Sequence, residues 1–128
     1  MKITSVEVFL LKPAAVHAPY GAYKPVILRL NTDEGIYGLG EAGVSMGIGE
    51  HAVFGMLQDM APLYIGKDPM NNEALWDDVR RKISGHSSGG GAVYFGCMSA
   101  FDIAMMDIKG KALNIPIYML LGGKKRDN

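Results

Sequence analysis

Cysteine is nearly absent: Cys97 is the single one in 128 residues. No intrachain disulfide is possible, so stability has to come from a packed core. Cys97 lies in an apolar stretch, 92–101, where a small buried hydrophobe is expected rather than a nucleophile with a base beside it. A charge excess of either sign is also missing, since 13 Lys and Arg balance 13 Asp and Glu. Nucleic-acid partners call for a basic surplus and anionic membranes for a polybasic run, and neither is present. Long apolar runs are lacking as well. Glu7 interrupts Val6, Val8 and Phe9, which excludes the core of a signal peptide. No apolar run reaches the ~18 residues of a membrane span. The expected location is therefore the cytoplasm. What is present is 48% apolar residues, enough for one compact domain burying roughly two thirds of its unfolded surface.

The first eleven residues alternate. Thr4, Val6, Val8 and Leu10 share one side, and Ile3, Ser5, Glu7, Phe9 and Leu11 the other. Period two with β-branched residues predicts a strand that Pro13 ends. A second strand is expected over 26–30. A turn over 31–35 follows, with Gly35 suited to positive φ, and then a third strand over 36–41. Three strands joined this way predict an antiparallel meander. Helical spacing begins after a glycine-bearing loop at 42–50. Val53, Met56, Leu57 and Met60 share a face, and Pro62 stops the run. Asn71 or Asn72 is the expected cap of a second helix, with Glu73 in its first turn and Leu75, Trp76, Val79 and Ile83 on its apolar face. Arg80, Arg81 and Lys82 suit its C-terminal end. A glycine-rich loop over 84–91 holds His86. From 92 to 113 the chain is apolar nearly all round, which predicts a helix buried on more than one side. Asn114 is its expected left-handed terminus, Pro116 the expected first residue of a short helix over 116–121, and Gly122 and Gly123 its end. Strands followed by helices give an α+β class: a three-stranded antiparallel β-meander followed by a helical bundle.

Gly38, Gly40 and Gly43 match the dinucleotide fingerprint G-x-G-x-x-G. That fingerprint needs a helix to open directly behind it, and 44–49 is too rich in glycine for one. Glu41 inside the turn would also repel phosphate. The glycines are instead expected to let the third strand bend. No hard-ion site is legible either. Asp77 and Asp78 are sequence neighbours on a helix and do not share a face. Asp102 and Asp107 are expected to pair with a base or cap backbone groups. His51 is placed near a helix start, without an assigned role.

Two stretches carry a family resemblance. The segment 31–42, NTDEGIYGLGEA, resembles the T-D-E-G-x-x-G-x-G-E hairpin of the mandelate racemase/muconate-lactonizing group of the enolase superfamily. The segment 99–112, SAFDIAMMDIKGKA, is similar to that group's S-A-x-D-x-A-L-W-D-I-K-G-K-A helix and continues through Pro116 to its L-L-G-G ending at Leu120, Leu121, Gly122 and Gly123. Ile65 to Pro69 also fits, and Met106 stands where many members carry Trp. The resemblance implies an enolase N-terminal domain-like fold over 1–123, with 124–128 starting a linker to a TIM barrel that is absent from this chain. Such a barrel needs roughly 200 or more further residues.

Full-length members of that group abstract a proton α to a carboxylate, with Mg²⁺ stabilising the enediolate and Lys or His as base. Those residues belong to the barrel, so no catalytic or metal residue is carried over to this chain. The resemblance implies the role of a lid that excludes water and sets substrate size. By position its loops are 13–24, with His17, Tyr20, Tyr23 and Lys24 as candidate substrate contacts, and 43–50, with Ser45 and Met46. The stretch Gly89 to Gly91 with Ser99 and Asp102 looks most like the sugar-acid dehydratases; racemases and cycloisomerases share the cap. The chain alone is expected to be inactive, its partners being the barrel, a carboxylate (sugar-acid) substrate and, in the full-length parent, further copies of itself. The alternative is a free-standing interaction or self-association module.

Overall fold

The alternating segments do form a sheet. In the computed structural model, which describes residues 1–12, 23–44, 48–84 and 91–126, strands β1 (Ile3–Leu10), β2 (Val26–Thr32) and β3 (Tyr37–Glu41) pair antiparallel in the order β1-β2-β3. Val26, Leu28 and Leu30 are fully buried on the inner face, and Val6, Val8 and Leu10 pack beside them. Gly35 takes the expected positive φ, 75°, and the Thr32 hydroxyl closes the turn by donating to the Ile36 carbonyl at 2.6 Å.

The alternation fails at one end. Ile3 shares its parity with exposed Ser5 and Glu7, yet it is 1% exposed, while Thr4 faces solvent. The register slips between Ile3 and Ser5, and a bulge of this kind reverses side-chain direction. Ile3 is held inward by the backbone of the 65–69 segment. Its N–H donates to the Lys67 carbonyl at 2.9 Å, and its carbonyl accepts from Gly66 at 2.8 Å.

Helix α1 (Glu50–Met60) buries Val53, Leu57 and Met60, with Met56 at the margin. Pro62 sits in a single 3₁₀ turn, Ala61–Leu63. A second such turn, Pro69–Asn71, is capped by Asp68, whose carboxylate accepts from the Met70 N–H at 3.0 Å. This corrects the expectation for Asn71 or Asn72. The turn already runs into helix α2 (Asn72–Ser84), and the Asn72 side chain is directed elsewhere. It is buried, donates to Asp102 Oδ1 at 2.9 Å and accepts from the Lys109 ammonium. Leu75 and Val79 bury the inner face of α2, flanked by Trp76 and Ile83.

The centre of the molecule is α3 (Gly91–Leu113). The sheet, α1 and α2 pack on different sides of it, so Tyr94, Cys97, Met98, Ala100, Phe101, Ala104, Met105 and Ile108 are all buried. Its length and composition would suffice to cross a membrane; here it is the core helix of the domain. Tyr64 stacks on Phe101 with ring centroids 3.8 Å apart and planes 3° from parallel. Asn114 ends α3 with φ 54°. Pro116 precedes rather than opens the short helix α4 (Ile117–Leu120).

The glycines of β3 do not serve bending, as was expected. A Cβ on Gly38 would lie 2.0 Å from the Ala104 carbonyl oxygen, and one on Gly40 would lie 1.9 Å from that of Ala100. Both glycines are contact points for the α3 backbone. Four helical residues advance about 6 Å and two strand residues about 6.6 Å, so the two contacts stay in step. The outer edge of β3 is closed by the same helix. Asp107 accepts from the Leu39 N–H at 3.0 Å, and Lys111 donates to the Tyr37 carbonyl at 2.7 Å and to Asp107 at 2.6 Å. An edge strand satisfied in this way offers no template for a further strand.

Candidate functional site

Antiparallel pairing sends both candidate loops out of the same end of the sheet. The chain leaves β1 after Leu10, returns into β2 at Val26, and leaves β3 after Glu41. The stems extend the ladder by one step on each side: the Leu11 N–H donates to the Pro25 carbonyl at 3.0 Å and the Ala42 N–H to the Val26 carbonyl at 3.1 Å.

Three contacts then tie the stems together. The Lys24 ammonium donates to the Glu50 carboxylate, joining the end of the first loop to the first residue of α1. The Glu50 side chain is 6% exposed and that of Lys24 39%, so the carboxylate is the inner partner. The hydrogen bond from Lys24, followed by a backbone hydrogen bond, holds the Glu50 carboxyl below its ordinary value. Tyr23 is half-exposed, and its hydroxyl would lie 3.8 Å from a Cβ on Gly43. Val44 fills the notch left by Gly96 on α3, where a Cβ would meet Val44 Cγ1 at 2.5 Å. Gly49 leads into α1 with φ 95°, and its carbonyl accepts from the Val53 N–H at 3.1 Å.

Of the six expected contact residues, Tyr23 and Lys24 fall on these stems, at one end of the domain. His17, Tyr20, Ser45 and Met46 lie outside the described residues, as does His86. His51 is exposed in the first turn of α1. Sequence reasoning missed Glu50 and the Val44–Gly96 contact. An acidic residue opening a helix was the available signal for Glu50, but its partner is 26 positions away.

The arrangement offers a phenol, an ammonium engaged by a carboxylate, and apolar packing. Cys97 is buried against the Val53 carbonyl at 3.6 Å, and burial pushes its thiol up to about 12. Burial also raises Tyr64 and Tyr94. Among the described residues no three His, Cys, Asp or Glu side chains converge as a metal site, so the Mg²⁺ that the resemblance implies has no fit here and no step is assigned to it on this chain. Asp107 pairs with Lys111 and caps the Leu39 N–H, as expected, whereas Asp102 accepts from the Asn72 amide instead; Asp78 pairs with Lys82 at 2.7 Å. An open groove of about 490 Å³ at the α3–α4 elbow, lined by Asp107, Lys111, Asn114 and Pro116 among others, lies at the far end of α3 from Gly96.

A three-stranded meander laid on one long core helix, with two loops leaving a single end, is the architecture of an enolase-type N-terminal capping domain. The chain belongs to the mandelate racemase/muconate lactonizing enzyme N-terminal domain family, whose model matches residues 5–122. Its relatives include the D-galactonate dehydratase of Verminephrobacter eiseniae, 37% identical over 99% of this chain and 29% of that protein, and the D-mannonate dehydratase of Novosphingobium aromaticivorans, also 37% identical over 99% and 29%. Among solved structures it is similar to an enolase-superfamily member from Salmonella Typhimurium, with 44% identity, TM-score 0.85, and coverage of 98% of this chain and 30% of that one. It is also similar to an enolase from Pantoea ananatis with bound D-gluconate and Mg, with 37% identity, TM-score 0.79, and coverage of 98% and 28%. The chain thus spans about 30% of the length of the proteins it matches.

Proposed function

We propose that this chain is the substrate-facing lid of a sugar-acid dehydratase. In that enzyme a barrel outside these residues would remove the proton α to the carboxylate and expel water, and it would also hold the Mg²⁺, which would supply charge stabilisation at that carboxylate. The observation that carries the proposal is the convergence of the two loop stems, tied through Lys24–Glu50 and Val44–Gly96, at one end of a rigid sheet–helix unit. A lid needs such a fixed base, because specificity is set by where its loops come to rest. The dehydratase names of the relatives and the D-gluconate bound to a structural neighbour favour a polyhydroxylated acid as substrate. In this reading His17, Tyr20, Tyr23 and Ser45 meet substrate hydroxyls and Met46 packs on the carbon chain. Lys24 stays paired with Glu50 and turns a further N–H of its part-exposed ammonium to the substrate carboxylate. The chain alone has no turnover, and racemisation or cycloisomerisation by the parent enzyme would use the same lid.

The test is a chimera in which this chain replaces the matching N-terminal segment of the V. eiseniae dehydratase, assayed against a panel of sugar acids with Mg²⁺. Dehydration by the chimera is expected, together with shifts of about 3- to 10-fold in KM for Tyr20→Phe, Tyr23→Phe or Lys24→Ala, the scale of one lost hydrogen bond. Turnover by the isolated chain would contradict the reading, and so would a chimera whose kinetics none of the three variants changes.

A further inference from the structure

Gly96 lies inside α3, and its backbone is ordinary helix without a positive φ. Nothing in the backbone calls for glycine there, and glycine is among the weakest helix formers. What calls for it is Val44. A Cβ on Gly96 would meet Val44 Cγ1 at 2.5 Å, Cγ2 at 3.1 Å and Cβ at 3.4 Å, so the isopropyl group is seated directly on the helix surface. Val44 itself is 37% exposed; the seat lies at the surface and not in the core. Two residues earlier, Ala42 is buried and tied to β2 through the Val26 carbonyl. The stem 42–44 is thus held by the sheet at one end and by α3 at the other. The Tyr23 hydroxyl rests beside its middle residue, 3.8 Å from a Cβ on Gly43.

We propose that Gly96 is a positioning residue for substrate recognition: by seating Val44 it fixes the stem against which the Tyr23 hydroxyl stands. This rests on the lid reading and adds to it a residue that belongs to neither loop. Acting through a phenol, it bears on the hydroxyls of a polyhydroxylated acid. The effect is steric. Nonbonded carbons need about 3.5–4.0 Å, so a methyl at Gly96 drives Val44 back by on the order of 1 Å. Val44 has little freedom to rotate clear, being β-branched and stiff at χ1. The helix does not give way either, because Tyr94, Cys97 and Met98 beside Gly96 are all buried. At Gly38 and Gly40 the obstruction is helix backbone, and there the core must yield. At Gly96 it is a side chain on a part-exposed stem, so the stem yields and the core is spared. A displacement of about 1 Å at a group that orients substrate can change kinetics by as much as ~100-fold.

The test uses the chimera with the V. eiseniae dehydratase, assayed on D-galactonate with Mg²⁺. Gly96→Ala should raise KM about 3- to 10-fold and leave kcat within about twofold, as a misplaced binding contact does. Val44→Ala in the same chain should restore KM, because it clears the space the new methyl takes. Gly96→Ala should add little to Tyr23→Phe, since both act on one hydroxyl. Gly55→Ala, whose Cβ meets nothing within 4 Å, should leave the kinetics unchanged. Far-UV circular dichroism establishes that each variant is folded. Val44→Ala alone empties the seat without overpacking it; it should also raise KM, and it carries the test if Gly96→Ala does not fold. An unchanged KM in Gly96→Ala beside a shifted one in Tyr23→Phe would overturn the proposal and leave the lid reading standing. So would a KM that Val44→Ala fails to restore, or effects of Gly96→Ala and Tyr23→Phe that simply add. If Tyr20→Phe, Tyr23→Phe and Lys24→Ala all leave the kinetics unchanged, or the chimera turns over no sugar acid, the lid reading falls and the role of Gly96 with it.

Discussion

The Ala104 carbonyl oxygen occupies the space that a side chain at Gly38 would need, at 2.0 Å from an ideal Cβ. Ala100 stands in the same relation to Gly40, at 1.9 Å. In both cases the obstruction is helix backbone, which cannot rotate aside as a side-chain tip can. Gly38→Ala or Gly40→Ala therefore has to lift α3 from the sheet and disturb the core beneath it. Each is expected to cost about 3 kcal/mol or more, at the upper end of overpacking effects. Gly55 in α1 is the control, because a Cβ there meets nothing within 4 Å. Gly55→Ala should stabilise by about 0.5–1 kcal/mol through helix propensity alone. Urea unfolding of the three variants checks both signs.

The Lys24–Glu50 pair makes stability depend on pH in a definite direction. The Glu50 carboxyl is depressed in the folded state relative to its ordinary 4.5. Its contribution is thus fully present above that value and is lost as pH falls through the lower folded one. Lys24→Met removes the principal cause of the depression. The difference in Tm between the wild type and Lys24→Met should be largest near pH 7 and shrink toward ~pH 3. The Asp78–Lys82 pair has the same sign but is intact in both proteins, so it cancels. The N-terminal ammonium, raised above 8.0 by Glu34, has the opposite sign, with stability lost as pH rises through its folded value, and it cancels too. A difference that stays constant with pH would assign the loss to packing of the Lys24 stem.

What was legible in the sequence was local. The strands, the Gly35 turn, the Asn114 terminus and the all-round apolarity of α3 follow from spacing within a few residues, and all are present. The errors arose where a distant element decides. Gly38 and Gly40 look like bending glycines until α3, about 60 positions later, is seen lying on them. Asn72 has the composition of a cap but is recruited by Asp102 and Lys109. Ile3 has the wrong parity for burial until the 65–69 segment pairs with it. Lys24 reads only as a candidate substrate contact, because its partner opens a helix 26 positions away and leaves no local signal. The candidate contact residues were placed by resemblance alone, and the four in the loops proper fall outside the described residues.

Asn72 bridges two groups on α3 that are seven positions apart, giving an N–H to Asp102 and taking one from Lys109. Asn72→Ala leaves a partly buried carboxylate and ammonium without the amide that joined them. The expected cost is about 1–3 kcal/mol, the desolvation left unmatched. Asn72→Asp should not rescue it. The new carboxylate would still accept from Lys109, but it would face Asp102 with no donor between them. Urea midpoints that order the variants as wild type above both substitutions would bear this out, whereas an Asn72→Asp protein as stable as wild type would show that the Lys109 contact alone matters.

Cys97 gives a readout of how often the core opens. The thiol is fully buried and pushed up to about 12 by desolvation, while the thiolate is the form that attacks a disulfide reagent. The native chain should therefore resist an aromatic disulfide at about pH 8, where an ordinary thiol of pKa ~8.5 reacts readily. Full labelling is expected in denaturant. In native buffer the labelling rate should follow the population of open states, so Gly38→Ala, which lifts α3, should speed it far more than Lys24→Met, which loosens only the loop stems. Equal acceleration by both would mean that the stems and the core helix open as a single unit.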